Sequence, residues 1–179
     1  WVWSVLLLMA ALLAPLVLVL PGDQRRRRAA RAAARGFLGL AGMRPHAHGL
    51  RKVPPGSCVV VANHQSYLDG ILLTAVLPPR FGFVIKREMT RVPLAHLLLR
   101  RVGSMFVDRF DARRGTRDVR RFYQAARRGD CLAFFPEGTF VAEPGVGPFK
   151  MGAFQIAARL DIPVLPLAVR GTRAMLPSG

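Results

Sequence analysis

Seven consecutive residues, Asn63-His64-Gln65-Ser66-Tyr67-Leu68-Asp69, hold the side chains best suited to moving a proton. Histidine is the side chain whose unperturbed pKa suits proton transfer near neutral pH. Asp69, five positions on, supplies a carboxylate that could fix the imidazole tautomer and stabilise its protonated form, as the acid does in a Ser-His-Asp triad. On one continuous helix the two would point about 140° apart, because each residue turns the chain by about 100°. They meet only if His64 lies on a loop and Asp69 in the first turn of the helix that follows. A plainer reading stands beside this one. Ser66-x-x-Asp69 resembles a helix-capping arrangement, with Asp69 near a helix N-terminus for electrostatic reasons and His64 an ordinary satisfied polar residue.

Three other places carry chemistry. Glu137-Gly138-Thr139 follows Pro136 at a strand end. Gly138 would let backbone donors approach an oxyanion or a phosphate, and Thr139 offers a hydroxyl. Glu137 cannot bind a phosphate attractively, so it would orient a basic or hydroxyl partner. Taken alone, the tripeptide is an ordinary turn. Arg109 could offer a phosphate two parallel hydrogen bonds, or form a structural ion pair with Asp108 or Asp111. Lys150 could add charge near an anionic acceptor or simply be solvated. Cys58 and Cys131 sit inside apolar runs, which points to buried reduced thiols and not to a disulfide or a metal site. His46 and His48 lie in a Gly- and Pro-containing connector without further ligand candidates. Neither a metal nor a resident cofactor is expected.

The elements that must position these residues alternate. Residues 58–62 form a short β-branched run with the look of a strand buried on both faces. A helix is expected over 67–77, stopped by Pro78-Pro79, then a strand over 81–85 and a helix over 87–101 despite Pro93. A strand at 104–107 precedes a helix at 116–128, where Val119, Phe122, Tyr123 and Ala126 fall on one face and Gly129 ends the run. Strand 132–135, helix 149–160 and strand 164–169 complete the series. This order implies an α/β fold with a mostly parallel central sheet flanked by helices. It places the His64 loop at a strand end, the usual place for a site in an open α/β sheet.

Composition adds a surface. Of 179 residues 51% are apolar, and residues 1–22 carry no charge. A stretch of about 20 apolar residues can cross a bilayer as a helix, although Pro15 also permits a kinked span or a hairpin-like interfacial segment. Its length and the lack of a small-residue cleavage site argue against a removed signal peptide. The net charge is +17, from 27 basic and 10 acidic residues, with 24 Arg against 3 Lys. Arg25, Arg26, Arg27, Arg28, Arg31 and Arg35 directly follow the apolar segment, on a helix expected over 24–35. The positive-inside rule puts them on the cytoplasmic face of the bacterial inner membrane, beside anionic headgroups of membrane phospholipids. A nucleic-acid partner is not expected, because the basic stretches lack interleaved aromatics and a membrane segment abuts the densest one. Three regions follow: a hydrophobic membrane segment at 1–22, a basic helix and connector at 23–55, and a catalytic domain at 56–179. The start at Trp1 and the stop after Gly179 suggest part of a longer protein, truncated at its C-terminus.

The motif around His64 resembles the Asn-His-x-x-x-x-Asp signature of the glycerolipid acyltransferases, the lysophosphatidic acid acyltransferase superfamily of bacterial type. Three more motifs follow in that family's order: Gly103-Ser104-Met105-Phe106-Val107-Asp108-Arg109, Phe135-Pro136-Glu137-Gly138-Thr139 and Ile162-Pro163-Val164-Leu165-Pro166. Pro148-Phe149-Lys150-Met151-Gly152-Ala153-Phe154 is also similar, and the likeness runs from about Val53 to Arg173. It implies His64 as the general base with Asp69 as its partner, and Arg109 as a phosphate-contacting arginine. With them Glu137, Gly138, Thr139 and Lys150 would line the substrate site. The reaction implied is acyl transfer from acyl-CoA or acyl carrier protein to 1-acylglycerol-3-phosphate, giving phosphatidic acid, without a covalent acyl-enzyme. Phe140 stands where the third motif often has Arg, which removes a phosphate contact. Another lysolipid acceptor, such as a lysophosphatidylethanolamine or an amino-lipid, and a non-catalytic lipid-binding domain are the alternatives.

Overall fold

The computed structural model describes residues 2–107, 112–139 and 145–176. Five short runs form strands: β1 (Val59–Ala62), β2 (Phe81–Lys86), β3 (Met105–Val107), β4 (Cys131–Phe134) and β5 (Val164–Leu167). All pair in parallel in the order β3-β2-β4-β1-β5. β1 lies inside the sheet, with Val59 opposite both Leu132 and Val164. Its side chains alternate between two apolar layers. Cys58, Val60 and Ala62 pack with Leu73 and Leu77 of the α3 (Leu68–Val76) region. Val59 and Val61 meet Phe122 and Ala125 of α5 (Ala112–Arg127) and Ala153, Ile156 and Ala157 of α6 (Gly152–Leu160). Every residue of β1 is buried, and each buried Val contributes about 1.5–3 kcal/mol. That burial on both faces is why the strand is a continuous apolar run and not an alternating one.

The strand order fixes where a site can form. The chain leaves β1 for β2, beyond β4, whereas it leaves β4 for β5, beyond β1. The two crossovers depart in opposite directions and use opposite faces. A crevice therefore opens between them at the carboxyl ends of β1 and β4. The loops carrying His64 and Glu137 begin there.

Two expected helices differ in extent. In place of one helix over 87–101 there is a 3-10 turn, Arg87–Arg91, followed by α4 (Pro93–Arg101). Pro93 pushes Val92 into extended backbone and serves as the first helical residue of α4, where its missing N–H costs nothing. Helix α6 begins at Gly152, three residues after the expected start, because the backbone of 147–150 is bonded to the turn after β4 (Lys150 N donates to Pro136 O at 2.9 Å).

The N-terminal region holds two helices. Helix α1 (Val2–Val19) contains Pro15, and its 18 residues give about 27 Å of length. Among the described residues no helix is long and apolar enough to cross a membrane. Helix α2 (Asp23–Leu40) runs well past the expected end at residue 35, because Phe37 and Leu38 are buried against Leu68 and Ala75. Its arginines do not form one solvated face. Arg31 and Arg35 donate to the carbonyls of Ala75 and Val76, acceptors that the end of α3 leaves without helical partners. Arg26 donates to Leu20 O and, at 3.4 Å, to Arg101 O. Arg27 is only 5% exposed and pairs with Asp130 at 2.5 Å while donating to the carbonyls of Arg80 and Val102. It fits because Gly103 lies beneath it, with a φ of +80° and room that a Cβ would fill to 2.6 Å from the guanidinium. Arg25 and Arg28 remain exposed.

Candidate active site

Strand β1 delivers Asn63 and His64 into the crevice. Asn63 extends the β1–β5 pairing by side chain: its Nδ2 donates to Val169 O at 2.9 Å and its Oδ1 accepts Val169 N at 2.7 Å. His64 therefore leaves the sheet from a fixed point. Asp69 lies in the first turn of α3, the arrangement needed for the pair to meet, and its Oδ2 is 2.9 Å from His64 Nδ1. The same Oδ2 accepts the N–H groups of Gln65 at 2.6 Å and Ser66 at 2.9 Å. Capping and catalytic geometry are thus one structure: the carboxylate that closes the turn also holds the imidazole.

Asp69 is fully buried. Burial pushes its carboxyl up, but hydrogen bonds from His64, Thr172, Gln65 and Ser66 outweigh that and hold it below the ordinary aspartate value. The imidazole stacks on Phe135, with centroids 4.1 Å apart and planes 18° from parallel. Its side chain is 18% exposed against 0% for Asp69. One ring edge is bonded to a buried anion, and the ring still reaches the surface. With Nδ1 committed to Asp69, proton exchange with a substrate falls to Nε2.

The turn after β4 is joined to this loop. Glu137 Oε1 accepts His64 N, and Oε2 accepts Gly147 N, each at 2.7 Å. Both carboxylate oxygens serve backbone amides, so Glu137 shapes the crevice by tying three loops together. Gly147 permits this approach, since a Cβ there would stand 3.3 Å from Oε2. Gly138, buried with φ +82°, donates its N–H to Phe135 O at 3.0 Å. That amide closes the turn. Thr139 and Lys150 are exposed beside the turn. Arg109 lies outside the described residues, as does Phe140. Among the described residues no cluster of three His, Cys, Asp or Glu could hold a metal. Cys58 and Cys131 are buried free thiols with sulfurs 3.2 Å apart, at the opposite end of the strands from His64.

Sequence reasoning missed Thr172, Asn63 and Phe135 as site residues. Thr172 Oγ1 donates to Asp69 Oδ1 at 2.5 Å from far along the chain.

A model of the Acyltransferase family matches residues 44–170. The chain belongs to that family. Among relatives of this acyltransferase is the chloroplastic 1-acyl-sn-glycerol-3-phosphate acyltransferase BAT2 of Brassica napus, 35% identical over 133 residues, or 73% of this chain and 38% of the relative. The 1-acyl-sn-glycerol-3-phosphate acyltransferase of Pseudomonas aeruginosa is 28% identical over 72% of this chain and 50% of its own. The chain thus spans between two fifths and half of these relatives' length. The crystal structure of the 1-acyl-sn-glycerophosphate (LPA) acyltransferase PlsC from Thermotoga maritima shares the α/β fold. It gives a TM-score of 0.74 at 23% identity, over 94% of this chain and 69% of that one.

Proposed function

We propose that this acyltransferase moves a fatty acyl group from acyl-CoA or acyl carrier protein to the free hydroxyl of 1-acylglycerol-3-phosphate, giving phosphatidic acid. The observation that carries the reading is the His64 imidazole, bonded to buried Asp69 and open at the carboxyl ends of β1 and β4. The names of the relatives supply the acceptor class. His64 Nε2 takes the proton of the acceptor hydroxyl, and the oxygen attacks the thioester carbonyl carbon. The tetrahedral intermediate collapses with cleavage of the C–S bond, and the imidazolium returns its proton to the leaving thiolate. Asp69 keeps Nδ1 protonated throughout and stabilises the transient cation without itself taking the proton. Arg109 and Lys150 are assigned to the acceptor phosphate, and Thr139 to the rim of the site.

Helix α1 attaches the enzyme to the cytoplasmic face of the bacterial inner membrane, lying within one leaflet. Leu8, Leu12, Leu16 and Val19 are exposed along it, apolar surface that lipid would cover. Exposed Arg25 and Arg28 meet anionic headgroups, whereas the inward-turned arginines of α2 belong to the fold. Full-length protein incubated with acyl-CoA and a panel of lysolipids tests the reaction. Phosphatidic acid should form fastest, and its absence with product from another lysolipid would move the acceptor assignment. Flotation with anionic and neutral vesicles tests the attachment: recovery with both, stronger on anionic vesicles, is expected, and no recovery with either refutes it.

A further inference from the structure

The segment 169–176, which follows β5, is fastened to the His64 loop at three points. Two of them involve only the segment's backbone: Asn63 pairs with Val169, and Ser66 Oγ donates to Leu176 O at 2.7 Å. The third is different. Thr172 Oγ1, 4% exposed, reaches the carboxylate that holds the imidazole.

A carboxylate bonded at one oxygen can still pivot about its Cβ–Cγ bond. In Asp69 the bonds from His64, Gln65 and Ser66 all fall on Oδ2. Among the described residues Thr172 supplies the contact to Oδ1, at 2.5 Å. It sits at the first position of α7 (Thr172–Met175), just after Gly171, whose φ of +87° turns the chain there. The hydroxyl is therefore placed by backbone. A fixed second contact stops the pivot, and a carboxylate that cannot pivot holds one imidazole tautomer in one orientation.

We propose that Thr172 is a positioning residue of the acyl-transfer site, locking Asp69 and through it the orientation and tautomer of His64. The assignment rests on His64 acting as the base. Thr172→Val keeps the β-branched shape and removes the O–H, Thr172→Ser keeps the O–H, and Thr172→Ala serves should valine prevent folding. In the full chain, Thr172→Val should lower kcat by about 10- to 100-fold, the scale of a misplaced catalytic group. KM for acyl-CoA and for lysophosphatidic acid should stay within about twofold, and Thr172→Ser should restore most of the rate. Imidazole nitrogen NMR gives a readout independent of turnover, with His64→Ala used to assign the His64 signals. Wild type should show His64 protonated mainly at Nδ1, and Thr172→Val a mixture of tautomers. A kcat within about twofold of wild type, a loss carried by KM, or a loss that serine does not reverse would overturn the proposal. Should wild type transfer no acyl group to any lysolipid, the reading of the reaction fails, and the spectrum alone decides: a mixture sustains the Thr172 assignment, an unchanged tautomer overturns it.

Discussion

Two buried ions of opposite sign, Arg27 and Asp69, are satisfied in similar ways and do different work. Arg27 is enclosed by Asp130 and the carbonyls of Arg80 and Val102, all at the strand ends opposite the His64 crevice. Its role ends in fastening α2 to the edges of β2, β3 and β4. Asp69 is enclosed by two amides, a hydroxyl and an imidazole, and only the last carries a basic nitrogen. That imidazole is also partly exposed, unlike Ser66 and Thr172. Burial and full hydrogen bonding are common to both ions. What separates a fastener from a candidate catalytic partner is whether the buried charge is bonded to a basic side chain in the crevice.

Substitutions should split along this line. The largest effect is expected at His64: His64→Ala should cut acyl transfer by about 10²–10⁴-fold while the urea midpoint barely moves. Rates and unfolding curves measured on one preparation check both halves. Arg27→Met should do the reverse. It leaves partly buried Asp130 to the exposed guanidinium of Arg128 at 3.3 Å, so stability should fall by about 1–3 kcal/mol, with kcat little changed in the fraction that stays folded. Adding Asp130→Asn should recover part of that loss.

A smaller effect concerns acid. Because the native Asp69 carboxyl lies below its ordinary value, its contribution to stability is complete above the unfolded carboxylate range. It is lost as pH falls through the lowered native value. Urea unfolding from pH 7 to pH 3 should steepen in wild type relative to Asp69→Asn; parallel profiles would show that the native pair does not depress the carboxyl. The smallest effect belongs to Arg31→Met, which frees the carbonyl of Val76 near solvent and leaves that of Ala75 to Arg35. A loss of about 0.5–1.5 kcal/mol with unchanged turnover is expected, read from the urea midpoint.

The sequence made the sheet legible because burial on both faces demands short β-branched runs, and Val59, Val60 and Val61 announce one. The His64–Asp69 pairing was legible as a condition, that His64 be on the loop and Asp69 in the first helical turn, and the structure meets it. The arginines of α2 were not legible. The acceptors of Arg31 and Arg35 are backbone carbonyls at the end of α3, which have no residue signature, so fasteners looked like arginines meant for anionic headgroups. Thr172 escaped for a related reason: a hydroxyl delivered by a distant turn carries no local spacing. The bond from Gly138 N–H to Phe135 O was not legible either, since a glycine's freedom alone does not say which bond its amide makes.

The strand order also bears on how the protein is made. β1 is the most deeply enclosed strand, yet its neighbours are β4 and β5, so Val59 waits for Leu132 and then for Val164. On the ribosome, this apolar ribbon stays without its β5 partner until residue 164 has been translated. Such late closure makes folding slow and leaves the nascent chain prone to sticking. Yield in cells should therefore depend on chaperone supply more strongly than the stability of the finished protein would suggest.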